Sequence, residues 1–228
     1  MAGVGDDRDP PPGGDDMSAL PVEEEPIEPA PSPRVWPVPP PEGWTADDLD
    51  RIPDLPPHTE LIDGSLIFMS PQRILHMILI SLLEQRLKDQ APPAMWVLRE
   101  ISTVISAKNR PLPDLMIVDA RKIKSRKDAS VPVEAVSLAV EVVSPDSELR
   151  DRERKPRLYA EAGIQHFWRI ELEEDESAVA YVYELDPATK QYSPSGVFRE
   201  HLKVTVPFNI DVDLAELDEV RLPEELED

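Results

Sequence analysis

The sequence predicts an α/β (α+β) protein with a mixed central β-sheet flanked by helices. Three observations carry this. Two short, dense apolar runs, 114–119 and 137–143, have the length and the Ile/Leu/Val content of central strands. One longer apolar segment, from Ser70 to about Lys88, has helical length. The order of elements reads strand-strand-helix-strand-strand-loop-strand-helix-strand-strand, which suits a sheet with helices packed on it.

Composition divides the chain. It has 228 residues and a formal net charge of −22, unevenly spread. Residues 1–57 hold 14 acidic and 3 basic side chains and 15 of the 27 prolines, with almost no apolar periodicity. Such a stretch cannot bury enough surface to offset chain entropy. Residues 1–41 therefore read as a disordered, acidic, Pro-rich tail, 42–215 as one folded domain, and 216–228 as an acidic C-terminal tail. The folded part is long enough for one sizeable core. The absence of cysteine excludes a disulfide framework and a thiolate zinc site. No apolar run reaches the roughly 18 residues of a membrane span. The acidic N-terminus lacks the apolar core of an export signal, so the expected location is cytoplasmic, with no membrane partner.

The elements follow in order. Thr45-Ala-Asp-Asp48 has N-cap chemistry and predicts a short helix at about 45–51. Asp63-Gly64 between apolar flanks predicts a hairpin over 60–69. Ser70-Pro71 then predicts a helix start, with Ser as N-cap and Pro in the first turn. Alternation over 95–106 predicts one strand, and Arg121–Lys127 a basic loop or short helix. Residues 147–162 read as helical, closed by Gly163, with Pro156 in the first turn and a looser approach before it. Strands are expected at 165–172 and 178–185, a turn at Asp186-Pro187 and short β segments near 191–206. An acidic ending with one helical turn is expected from Asp211.

Overall acidity argues against casual nucleic-acid binding. The segment 108–157 differs, with 12 basic and 9 acidic side chains. It also holds the unusual acids. Alternation puts Ala139, Glu141 and Val143 on one strand face and Leu138, Val140 and Val142 on the other. An acid among such neighbours is seldom just solvated: a functional role for Glu141 is favoured slightly over pairing with an arginine or a place on an exposed face. Asp114, after Pro113, reads alone as turn chemistry, and Glu60 alone as a surface acid. Lys155 sits in a run of alternating charge, which by itself is a solvated helix face. His76 in an apolar helix suits a satisfied core histidine, and Gln72, expected on that helix's first turn, has no signal of its own. In combination, two carboxylates on adjacent strands could hold Mg²⁺, which takes a few carboxylate oxygens and keeps waters for substrate phosphate. A lysine near by would orient the attacking water or neutralise charge developing on the phosphorane.

These residues resemble a known group. Pro113-Asp114 followed by Glu141 is similar to the bipartite PD-(D/E)XK nuclease pattern. The fuller string resembles the Uma-type putative restriction endonuclease family. Its pieces are Glu60-Leu-Ile-Asp-Gly64, Met69-Ser-Pro71, His76, Pro113-Asp-Leu115 and Glu141-Val-Val-Ser-Pro145. They continue with Asp151, Lys155, Tyr159, Gly163 and His166-Phe-Trp168. The resemblance covers roughly 45–210 and implies a restriction-endonuclease-like core. It implies Asp114 and Glu141 as metal ligands for Mg²⁺ or Mn²⁺, Glu60 as an additional catalytic acid, and His76 and Gln72 as further pocket residues. The superfamily lysine normally stands two residues after the second acid, where this chain has Val143. The resemblance implies a lysine displaced to the next helix, Lys155. The basic residues Arg121, Lys122, Lys124, Arg126 and Lys127 are candidate nucleic-acid contacts.

The expected function is Mg²⁺-dependent endonucleolytic hydrolysis of phosphodiester bonds in DNA, with a homodimer plausible for cutting both strands. The alternative is a catalytically inactive member of the same fold that binds nucleic acid or protein, which the acidic balance favours.

Overall fold

The computed structural model describes residues 37–216. The tails read from the sequence lie outside the described residues, except for 37–41 and Glu216. Among the described residues no helix is long and apolar enough to cross a membrane.

The first helix among the described residues is α1 (Ala46–Leu49), whose first turn is closed by the Asp48 carboxylate, which accepts from the Thr45 amide and hydroxyl at 2.8 and 2.6 Å. Strands β1 (Glu60–Ile62) and β2 (Ser65–Ile67) form the expected hairpin. Asp63 and Gly64 both take positive φ, 51° and 76°, as a two-residue turn of this hand requires. Helix α2 (Ile74–Gln90) starts later than expected. Ser70 and Pro71 do not cap it: they lie in an extended loop, and Arg73 occupies the N-cap position.

The expected single strand over 95–106 is two. Strand β3 (Met95–Arg99) ends at Glu100, which takes φ 48° and turns the chain, and β4 (Ser102–Val104) joins another sheet. Alternation continues across the break, so periodicity alone reads through it. Strand β5 (Leu115–Asp119) is buried throughout. A short strand unforeseen in the sequence, β6 (Ser130–Pro132), pairs in parallel with β4. Strand β7 (Val136–Val142) leads to a π-helical turn, Arg150–Arg154, and helix α3 (Lys155–Glu161). Pro156 falls in the first turn of α3, where no backbone N–H is needed. The chain continues through β8 (His166–Leu172), β9 (Ala178–Asp186) and β10 (Gln191–Phe198). Strands β11 (His201–Val204) and β12 (Ile210–Asp213) pair with each other. The acidic ending is thus a strand through Asp213, followed by a tight helical turn at 214–216.

The main sheet has the order β10-β9-β8-β7-β5-β3 and is mixed, with β7 and β8 parallel and its other neighbours antiparallel. Its two faces carry two cores. Leu115, Ile117, Leu138 and Val140 face Leu79, Leu83 and Leu87 of α2. Met116, Val118, Ala139 and Phe167 share the opposite face with Tyr159 of α3. Each buried large apolar side chain contributes about 1.5–3 kcal/mol. This face-by-face sorting follows the strand period and fixes where the odd residue Glu141 points.

Candidate active site

Glu141 projects from the α3 face of β7, next in line after Ala139. Asp114 precedes β5 on the same face as Met116 and Val118. Its Oδ2 accepts from the Val142 amide at 2.6 Å, tying the ends of β5 and β7 together. Glu60 arrives on the hairpin, which is held by paired Leu61 and Arg110 backbone bonds of 3.1 and 2.8 Å. Its Oε1 accepts from the Leu112 amide at 2.8 Å. Lys155 and Tyr159, one turn apart on α3, point inward, and Asp151 joins them from the π-helical turn.

These side chains form one buried cluster. Lys155 Nζ lies 2.9 Å from Glu60 Oε1, 3.0 Å from Glu141 Oε2 and 3.2 Å from Asp151 Oδ1. Tyr159 OH donates to Glu141 Oε1 at 2.5 Å. Glu60 is fully buried, Glu141 is 1% exposed, Lys155 2% and Asp114 6%, so solvent does little to screen their charges. His76 of α2 approaches from the other side, its Nε2 3.8 Å from Asp114 Oδ1.

The charges do not balance. Four buried acids surround one ammonium. Burial would lower the Lys155 ammonium, but Glu141, Glu60 and Asp151 outweigh it and hold Lys155 well above the ordinary lysine value. Burial pushes Glu141 well above the usual carboxylate range, and Lys155 offsets this only in part. Asp151 is raised too, again by burial first. The upward shifts of Lys155 and of its partner Glu141 pull in opposite senses for an ion pair. Both follow from the surplus of acids: the lysine stays charged, and one ammonium cannot neutralise all its neighbours. Tyr159 is held as the phenol by burial and by Glu141.

The donor set fits a hard divalent cation. It is all oxygen, carries surplus negative charge, and contains a buried carboxylate oxygen, Glu60 Oε2, without a hydrogen-bond partner. Both His76 ring nitrogens are likewise buried and without a hydrogen bond, the Asp114 carboxylate being 3.8 Å from Nε2. Among the described residues no group of three or more His, Asp or Glu side chains forms a ready-made metal cluster. Mg²⁺ needs only one or two carboxylates and keeps its waters.

Two clefts, separated by the loop before α2, adjoin the cluster, one at Asp114 and the other at His76, while Glu60, Glu141, Asp151 and Lys155 line neither. One, of about 450 Å³, is lined by Asp114, Gln72, His58 and Met77. The other, of about 410 Å³, is lined by Gln72, His76, Ser147 and Arg150. Gln72 lines both from the loop, not from the helix turn where the sequence reading put it.

The structure thus brings Glu60, Asp114, Glu141, Lys155 and His76 together, with Gln72 at the entrance. It does not bring the basic loop there. Arg121, Lys122, Lys124, Arg126 and Lys127 are exposed beyond Asp119, at the far end of β5 from Asp114. Five residues of strand separate the two ends, roughly 16 Å. Arg121 is also engaged locally: its hydrogen bonds to Asp119, 2.8 and 2.9 Å, hold that carboxyl down at about 2. Two cluster members, Asp151 and Tyr159, stand in the string that resembles the family but had no predicted site role. Their signal was the spacing 151, 155, 159, which puts three polar side chains on one helix face.

A mixed sheet with an acid–lysine cluster at the ends of its central strands defines a restriction-endonuclease-like α/β protein. The chain belongs to the family Uma2, described as "Putative restriction endonuclease", which matches residues 46–215. A solved structure with a similar fold is that of "a putative nuclease belonging to DUF820" from Anabaena variabilis ATCC 29413. The two align with a TM-score of 0.61 at 20% identity, covering 77% of this chain and 97% of that one. No curated protein matches the chain.

Proposed function

We propose that the protein is a divalent-metal-dependent endonuclease that hydrolyses phosphodiester bonds in DNA. The observation that carries this is the buried cluster of Glu60, Asp114, Glu141 and Asp151 around Lys155, adjoined by the cleft that Asp114 lines. In this reading Asp114 and Glu141 hold Mg²⁺ or Mn²⁺, with Glu60 an additional catalytic acid. The bound cation supplies Lewis-acid stabilisation of charge on the phosphoryl oxygens. Lys155 fixes Glu141 and Glu60 and keeps a positive charge beside the reacting phosphate. Tyr159 holds Glu141 in one orientation through its short hydrogen bond. The Val142 amide does the same for Asp114 Oδ2, leaving Oδ1 turned toward His76. His76 and Gln72 line the approach for the phosphodiester. Family membership supports the reaction class.

A second reading is a non-catalytic binding protein on the same fold. It is favoured by Glu141, whose two oxygens are both taken, by Lys155 and by Tyr159. A DNA cleavage assay with and without Mg²⁺ or Mn²⁺ separates the two. The nuclease reading requires cleavage that depends on added metal, and the binding reading requires none.

A further inference from the structure

A third cleft lies on the outer side of α3. It has a volume of about 680 Å³, within the range of ligand pockets, roughly 300–1,000 Å³. Helix α3 separates it from the acid cluster: Lys155 and Tyr159 face the acids, whereas Pro156, Arg157 and Ala160 line this cleft. The sheet supplies an aromatic wall. Phe167 is buried, and the half-buried Tyr183 and Tyr192 stack against it at 5.7 and 5.5 Å. The Arg169 guanidinium lies 5.7 Å from the centre of the Tyr183 ring and 4.6 Å from that of Tyr181, which stands outside the cleft lining.

The charge here runs against that of the chain. Four cations, Arg152, Arg157, Arg169 and Lys190, line the cleft with two acids, Glu153 and Glu161, in a protein of net charge −22. Arg152 and Arg169 are both held by Glu171, at 2.6 Å each. The other two cations are available. Arg157 has a side chain 69% exposed, and its one ion-pair partner among the described residues is Glu153, at 3.7 Å. Lys190 makes no ion pair among the described residues, and it sits at the β9–β10 turn on the cleft's rim.

We propose that this cleft binds single-stranded DNA, a stretch of about one or two nucleotides, with bases on the tyrosines and phosphates on Arg157 and Lys190. Aromatic faces beside free cations are the combination that holds unpaired strands. Paired bases have their faces covered by neighbours in the stack, so a duplex cannot use the tyrosines. This rests on the nuclease reading for its purpose: it would direct the enzyme to substrates with an unpaired strand, held against the helix that carries Lys155.

The test is fluorescence anisotropy of the full-length protein with a labelled twelve-residue oligothymidylate and with a duplex of the same length, in EDTA, across a salt series. The single strand should bind more tightly than the duplex. The double variant Arg157→Glu/Lys190→Glu should weaken single-strand binding and reduce the slope of log affinity on log salt by about 1.4, for two lost phosphate contacts. Tyr183→Leu keeps apolar bulk but no aromatic face, and should lose about tenfold in affinity. Unchanged affinity and salt slope in the double variant, unchanged affinity in Tyr183→Leu, or no single-strand preference in the wild type overturns the proposal. Metal-dependent plasmid cleavage by the same preparation keeps the two readings apart. Cleavage without cleft binding overturns only the cleft. Cleft binding without cleavage overturns only the nuclease reading.

Discussion

Lys155 Nζ and Glu141 Oε2 lie 3.0 Å apart, both nearly inaccessible to solvent, one from the first residue of α3 and the other from the middle of the sheet. This contact joins helix to sheet at the point where the acids converge. Removing one partner of a buried pair leaves an uncompensated charge. Lys155→Met should therefore lower stability by about 3–5 kcal/mol at pH 7.5, measured by urea unfolding. The loss should shrink at pH 5, where the stranded acids can take up protons. A loss that is the same at both pH values would mean that the acids carry no surplus charge.

Tyr159 donates its only O–H to Glu141 at 2.5 Å. Tyr159→Phe removes that donor and leaves Glu141 Oε1 buried and unsatisfied. The expected destabilisation is about 1–3 kcal/mol. The variant should also move the acid limb of the pH–activity profile upward, because Glu141 loses a group that favours its charged form. An unmoved limb, with stability lost, would make Tyr159 a packing residue only.

The pH dependence of stability follows from the raised acids. The folded-state values of Glu141 and Asp151 lie above their ordinary 4.5 and 3.8. The folded protein therefore binds these protons more tightly than the unfolded chain does. Their contribution is present below about pH 4 and is lost as pH rises through the folded values. Lys155 acts at the other end, contributing below 10.5 and losing its contribution as pH rises beyond its raised value. Metal-free protein should melt at a lower temperature at pH 8 than at pH 5, with a shallower decline in Glu141→Gln. Mg²⁺ should raise the melting temperature more at pH 8 than at pH 5. Equal Mg²⁺ effects at the two pH values would argue against a cation on these carboxylates.

The basic loop gives a prediction of independence. Lys124→Glu/Arg126→Glu/Lys127→Glu changes charge at the far end of β5 from Asp114. Mg²⁺ affinity, followed by calorimetric titration, should change by less than about twofold, since exposed charges beyond a Debye length of roughly 8–10 Å are largely screened. A tenfold change would place the loop nearer the cluster than β5 allows.

Much of this was legible in the sequence, for physical reasons. The period of two in Leu138–Val143 put Glu141 opposite Val140 and Val142, and the two cores sort the strand that way. Asp63-Gly64 marked its turn because two successive positive φ values suit few residue pairs. Pro156 marked the start of α3 because the first turn needs no amide donor. Other features leave no local trace. The turn at Glu100 sits inside an unbroken alternation, and its backbone N–H donates a hydrogen bond of 3.1 Å to the Asp114 carbonyl, 14 residues away in the chain. The direction in which β5 carries the basic loop away from Asp114 is a property of sheet pairing. Asp151 and Tyr159 did leave a trace, the spacing 151, 155, 159, but it was obscured by the surrounding charge run, in which Arg152, Glu153 and Arg157 are exposed, as such runs usually are.

The central claim is that Asp114 and Glu141 form a metal-dependent hydrolytic centre. The most direct measurement is cleavage of plasmid DNA with Mg²⁺ or Mn²⁺ by the wild type and by Asp114→Ala and Glu141→Ala, each shown by circular dichroism to remain folded. The account predicts metal-dependent cleavage by the wild type and a loss of at least a hundredfold in both variants. Equal cleavage by wild type and variants would contradict it.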